Sequence, residues 1–236
     1  MSLTPSQVRF FRHNGFLVLP TKLSDSHAAE LRNAIFSDIG NEVEPVVRAK
    51  GTPVRISDVW SRGGFFERTV RAAEILDPLT SLLGPNIEFI RNRHNHATLR
   101  LRDDGSSYLH RDVLQWSRTI VTVLVYLEDS TIENGCTRVI PGTHVLEPGM
   151  TSPSHHGTER MTDAGLLDQT VPVPMPAGGL LAIDSMIFHG AGPNATDGSR
   201  TSMTLGYHSQ DELMDAENGK RVLVRGERLY QGNDQR

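Results

Sequence analysis

His110 and Asp112 stand one residue apart in the stretch Tyr108, Leu109, His110, Arg111, Asp112. In an extended strand the side chains alternate with a period of two, so this imidazole and this carboxylate would project together from one face. That pair is half of a metal site. A second imidazole from elsewhere in the chain would complete a 2-His-1-carboxylate triad, a donor set that suits Fe(II) and leaves about three of six coordination positions open for reactants. His189, which closes the apolar run at residues 178–188, is the candidate for that third ligand. Alone at a strand end, such a histidine reads as a structural residue; its company of His110, Asp112 and Arg200 makes it a ligand.

Arg200 begins a strand-like run in which Ser202 shares its face. An unpaired guanidinium inside an apolar strand is very costly, so Arg200 requires an anionic partner. A carboxylate held by the planar fork, with the Ser202 hydroxyl two residues along, fits that requirement.

Other groups weaken on inspection. His94 and His96 form a His-x-His pair that also opens the cupin metal pattern, but the carboxylate that pattern needs is missing from the residues that follow. Read along one strand, His94, His96, Thr98 and Arg100 share a face, which is either an exposed edge or a pocket wall. His155 and His156 are adjacent and cannot readily serve one metal from one strand. His13 and His27 read as solvated helix positions. Cys136 reads as a small buried residue, since no basic partner stands beside it to activate a thiolate.

Several elements must position these groups. Thr4, Pro5 and Gln7 form a helix start with a capping box, and that helix should end near Asn14 and Gly15. A short buried strand over 16–19 ends at Pro20, and Ser24 or Asp25 caps a second helix reaching Gly40. Residues 41–64 show no strong period and read as an irregular lid or a solvated loop. Residues 66–83 are helical in pattern, kinked or broken at Pro78, and 86–101 read as one strand. Residues 119–127 alternate as a core antiparallel strand. Glu133, Asn134 and Gly135 read as a hairpin turn with a return strand over 136–140. A second lid is expected over 147–165, and a short helix over 211–218 before a polar tail.

The order of helices first and many short strands after, with turns at Gly, Asn and Pro, points to a mainly β jelly roll with flanking N-terminal helices. At 236 residues the simplest organisation is one domain over 1–236. A net charge of -4 with 22% charged residues provides no broad basic surface, which argues against nucleic acid and for a small-molecule partner. The basic residues Arg48, Lys50, Arg55 and Arg62 in the first lid point to an anionic or strongly polar substrate. The single cysteine excludes an internal disulfide and fits a reducing cytoplasm. No apolar run reaches the roughly 20 residues that span a bilayer, and no signal pattern opens the chain, so a soluble protein is expected.

The motifs together carry a family resemblance. His110-x-Asp112, the run from Glu133 to His144, the run from His189 to Asn194, and Arg200-x-Ser202 look like the phytanoyl-CoA dioxygenase family of Fe(II)/2-oxoglutarate-dependent oxygenases, and residues 3–19 are similar to that family's opening. The resemblance extends from about residue 3 to about residue 207. It implies a double-stranded β-helix, cupin-like, with the triad inside its open end. It implies Fe(II) on His110, Asp112 and His189, with 2-oxoglutarate and O₂ as cosubstrates. The far carboxylate of 2-oxoglutarate would meet Arg200 and Ser202. The strand bearing His96, Thr98 and Arg100 would offer a further contact to cosubstrate or substrate from one of the three, with Thr98 the cofactor-binding candidate. Hydroxylation of a substrate C–H bond is the default outcome; desaturation, cyclisation and epoxidation stay open. A small residue in place of Asp112 would leave room for a halide, so the carboxylate argues against halogenation. Two rivals remain, a divalent-metal hydrolase or isomerase on the same triad and a catalytically inactive jelly-roll binding module.

Overall fold

The computed structural model describes residues 1–102, 109–113, 120–146, 164–211 and 219–228. Thr4 opens helix α1 (Pro5–Asn14) with a capping box, its hydroxyl accepting from the Gln7 amide at 3.3 Å while the Gln7 side chain accepts from the Thr4 amide at 2.9 Å. Gly15 ends the helix at φ 76°, a left-handed turn that glycine takes at little cost. Strand β1 (Phe16–Lys22) follows and runs past Pro20, where the sequence suggested it would stop. Proline is tolerated because β1 lies at the edge of its sheet, paired only with a later strand. Ser24 caps α2 (Asp25–Gly40) by accepting from the His27 amide at 3.1 Å.

Residues 41–64 are not the irregular segment their lack of period suggested. They contain β2 (Val46–Ala49) and β3 (Thr52–Ser57), a hairpin closed by Lys50 and Gly51, both at positive φ as the two-residue turn requires. β2 sits at the sheet edge with most side chains in water, which erases the alternation a half-buried strand would show. The helical stretch after it divides into α3 (Gly64–Val70) and α4 (Ala73–Leu83), broken at Arg71 and Ala72 rather than at Pro78. Pro78 lies inside α4, and the Glu74 carbonyl that its missing amide would have bonded accepts instead from the Thr21 hydroxyl at 2.6 Å.

The expected single strand over 86–101 is two, β4 (Ile87–Ile90) and β5 (Asn95–Arg100), separated by a turn in which His94 adopts φ 50°. Then come β6 (Ile120–Tyr126), β7 (Thr137–Val139), β8 (Val171–Val173), β9 (Gly179–Asp184), β10 (His189–Ala191), β11 (Arg200–Ser209) and β12 (Arg221–Arg225). The larger antiparallel sheet has the order β1-β9-β6-β11-β5-β3-β2, with β4 pairing β11 and β12; the smaller has the order β10-β7-β8. The Asn134-Gly135 turn is therefore not a hairpin. β7 pairs with β10 and β8, so the turn carries the chain from one sheet to the other.

One face of the larger sheet packs Val121, Val123 and Val125 against Phe11, Leu31, Ile35 and Leu79 of the helices. The other face packs Leu124, Tyr126, Leu181 and Ile183 against Val139 and Val173 of the smaller sheet. A sheet apolar on both faces must be covered twice, which explains why β6 is buried along its whole length. The result is a jelly roll with a helical cover. Of the second lid expected over 147–165, residues 147–163 with His155 and His156 lie outside the described residues, as do residues 212–218 of the helix expected over 211–218. No described helix is long and apolar enough to cross a membrane.

Candidate active site

His110 and His189 meet along the outer edge of the smaller sheet as an antiparallel bridge, the amide of each donating to the carbonyl of the other at 2.8 and 3.0 Å. Directly paired residues point their side chains to the same face, and the two rings lie 4.6 Å apart, centre to centre. Among the described residues, His110 is thus held by one bridge rather than by the regular strand expected around it. Asp112 lies in a bend, anchored by its amide donating to the Ser185 carbonyl at 2.9 Å. The outcome for the side chains is the one the alternation implied. The ligand atoms of His110, Asp112 and His189 all lie within 4.8 Å of one another. Asp112 Oδ1 is 3.6 Å from His110 Nε2 and 3.7 Å from His189 Nε2.

The protonation of these groups suits a metal. The ring Nδ1 of His189 faces the Ile187 carbonyl at 3.1 Å, an acceptor, so this nitrogen carries the proton and Nε2 turns its lone pair to the site. Burial keeps the His189 imidazole below its ordinary pKa despite the nearby carboxylate. Burial alone would push the Asp112 carboxyl up, but His189, His110 and His94 around it outweigh burial and hold it well below the usual carboxylate range. Its Oδ2 accepts from the Thr122 hydroxyl of β6 at 3.2 Å.

The triad opens on a cavity of about 660 Å³. Arg200, Ser202 and Thr98 lie in its wall. They are grouped by register, Ser202 of β11 pairing Thr98 of β5 on one side and Tyr126 of β6 on the other. Arg200 is only 4% exposed, and its Nε has no hydrogen-bond partner among the described residues. His96 also reaches the cavity, whereas Arg100 is not part of its wall and donates to the Gly192 carbonyl at 3.5 Å. Cys136 is buried, and burial pushes its thiol up, as expected of an inert residue. Asn134 is turn chemistry, donating to the Asp129 carbonyl at 2.8 Å.

Of the four basic residues in 41–64, only Arg55 lines the cavity. Arg48 pairs with Glu44, and Arg62 is a buried staple on Asp38 and the carbonyls of Val43, Pro45 and Ser57. Arg91 and Arg93, which the sequence did not single out, join Arg55 at the cavity mouth because the β4–β5 turn brings them there. His94 is the larger omission. Its ring lies against Asp112, at 3.4 Å from Nε2 to Oδ1. Its separation from Asp112 in the chain hid it; the only signal was the His-x-His pair itself.

Comparison with known proteins follows the same lines. The sequence profile described as Phytanoyl-CoA dioxygenase (PhyH) matches residues 11–202. The peroxisomal phytanoyl-CoA dioxygenase of Homo sapiens is 26% identical over 239 residues, covering 89% of this chain and 69% of that protein. Among solved structures, the epimerase SnoN in complex with Fe3+, alpha ketoglutarate and nogalamycin RO superposes with a TM-score of 0.74 at 20% identity, covering 96% of this chain and 93% of that one. EctD from S. alaskensis with bound Fe superposes with a TM-score of 0.76 at 19% identity, covering 95% and 87%. At these identities the structural likeness shows the fold.

Proposed function

The chain belongs to the phytanoyl-CoA dioxygenase family of Fe/2-oxoglutarate-dependent dioxygenases, and from that premise we propose that it hydroxylates an unactivated C–H bond of a small, anionic metabolite. The observation that carries the reading is the approach of the His110, Asp112 and His189 ligand atoms to within 4.8 Å on the wall of a 660 Å³ cavity.

The residues present fit the group. Two neutral imidazoles and a carboxylate on one side of an ion, facing open space, suit Fe(II). His110 Nε2, Asp112 Oδ1 and His189 Nε2 would hold it. The buried Arg200 guanidinium, whose Nε is unmatched among the described residues, supplies the fork for the far carboxylate of 2-oxoglutarate. Ser202 and Thr98 stand beside it with hydroxyls to share the load. When bound, the iron and 2-oxoglutarate together with O₂ supply the oxidising power for hydroxylation, one oxygen atom going to substrate and the other to succinate, with CO₂ released.

The chain's own part is placement. The Ile187 carbonyl fixes the His189 tautomer, Thr122 fixes Asp112, and the carboxylate at position 112 fills the space a halide would need. At the mouth, Arg55 and Arg93 make no ion pair or side-chain hydrogen bond with another described residue, and they favour a carboxylate or phosphate on the substrate. Wild-type protein incubated with Fe(II), 2-oxoglutarate and O₂ should form succinate without added substrate. A metal-loaded protein that forms none would overturn the reading. A metal-dependent hydrolase and an inactive binding module both predict that negative result, and neither has a use for Arg200.

A further inference from the structure

We infer that His94 is a positioning residue for the metal-binding carboxylate, clamping Asp112 toward His110 and His189 through a ring seated in a gap that strand β11 leaves at Gly206. The inference rests on the triad holding a metal.

Each ring nitrogen of His94 has a polar neighbour. Nδ1 lies 3.1 Å from the Thr122 hydroxyl, and Nε2 lies 3.4 Å from Asp112 Oδ1. The Thr122 hydroxyl also lies 3.2 Å from Asp112 Oδ2, and its one proton is shared between that oxygen and His94 Nδ1, so His94, Thr122 and Asp112 close a triangle around the carboxylate. Ser185, whose hydroxyl is 2.8 Å from that of Thr122 and whose carbonyl accepts the Asp112 amide, ties the triangle to the backbone. An ionised carboxylate only accepts, so His94 Nε2 carries its proton and has no lone pair for an ion. That separates His94 from the ligands and makes it their support.

Two backbone features show that the ring's place is built. His94 holds φ 50°, a left-handed conformation that a non-glycine residue adopts only against steric strain. Across from it, Gly206 interrupts the middle of β11, where glycine weakens a strand. A Cβ on Gly206 would lie 3.0 Å from His94 Cβ and 3.3 Å from His94 Nδ1. The Gly206 amide donates to the His94 carbonyl at 2.9 Å, which fastens the turn in place. The strain at one residue and the missing side chain at the other have one result in common, the ring against Asp112.

The test is Ni(II) binding by calorimetry, with Co(II) visible absorption as a report on coordination geometry, on wild type and the variants His189→Ala, His94→Leu, His94→Gln and Gly206→Ala. His94→Leu should weaken Ni(II) binding about 10- to 100-fold and shift the Co(II) bands. His94→Gln, which keeps an N–H near the same point, should recover most of the affinity. Gly206→Ala, which displaces the ring without removing it, should weaken binding in the same direction and carries the test if His94→Leu does not fold. Ni(II) affinity within twofold of wild type in His94→Leu and Gly206→Ala, while His189→Ala abolishes binding, overturns the inference and leaves the triad standing. Absence of binding in wild type overturns the triad and the inference together.

Discussion

His110 and His189 are joined by two reciprocal backbone hydrogen bonds of 2.8 and 3.0 Å, and their rings stand 4.6 Å apart on one face of that bridge. The bridge makes the two imidazoles a single unit. Each is aimed by the backbone of the other, and Asp112 arrives two residues later on the Ser185 carbonyl.

His189→Ala should therefore abolish tight divalent-metal binding and lower succinate formation by at least about 100-fold, because two ligands do not hold what three do. Calorimetry and the succinate assay check it together. Metal binding undiminished in this variant would mean the ion sits elsewhere.

Arg200→Met should separate cosubstrate binding from stability. Loss of a buried charge-assisted fork should raise KM for 2-oxoglutarate by roughly 100-fold or more. Ni(II) affinity should hold. The metal-free variant should melt at the same temperature as wild type or higher, since a buried guanidinium is replaced by an apolar chain of similar volume. A large fall in melting temperature would show that Arg200 serves the fold.

The pH dependence of the metal-free protein should carry the mark of His96. Burial, with Arg55 nearby, pushes its imidazole down to about 4 from the ordinary 6.5. The unfolded chain binds the proton more readily in that window, so stability is full above about 6.5 and falls as pH drops toward 4. The loss is at most about 3 kcal/mol, less where water reaches this half-buried ring. His189 is lowered in the same direction, so His96→Gln should flatten the urea-midpoint profile over pH 4–6.5 only in part. An unchanged slope would show that His96 is not buried neutral.

Arg55→Ala with Arg93→Ala should leave the 2-oxoglutarate KM and Ni(II) affinity alone while removing a preference for anions. In a thermal-shift screen of small metabolites, carboxylates and phosphates should stabilise wild type and lose that effect in the double variant, with the wild-type effect fading as salt rises. Hits confined to neutral compounds would rule out the anionic substrate.

Thr21→Val should cost about 1 kcal/mol, because the Glu74 carbonyl left open by Pro78 loses its donor. In a Pro78→Ala background the residue 78 amide can serve that carbonyl, so the cost of Thr21→Val should shrink. Additive costs in a denaturation cycle would show that the two are uncoupled.

What the sequence by itself determined is whatever depends on neighbours in the chain. The capping box of Thr4 and Gln7, the alternation of β6, and the spacing that sends His110 and Asp112 to one side follow from local geometry, since hydrogen-bond reach and side-chain direction are set within a few residues. The motif order from His110 to Ser202 also carried the family. Tertiary structure alone decided which distant residues meet. Two bridging hydrogen bonds aim His110; the 41–64 segment becomes a hairpin because β5 offers it an edge; the Asn134-Gly135 turn changes sheets. His94 reaches Asp112 because Gly206 stands empty across from it. Such contacts depend on the register between strands far apart in the chain, and a register is chosen by packing in three dimensions that no local pattern records.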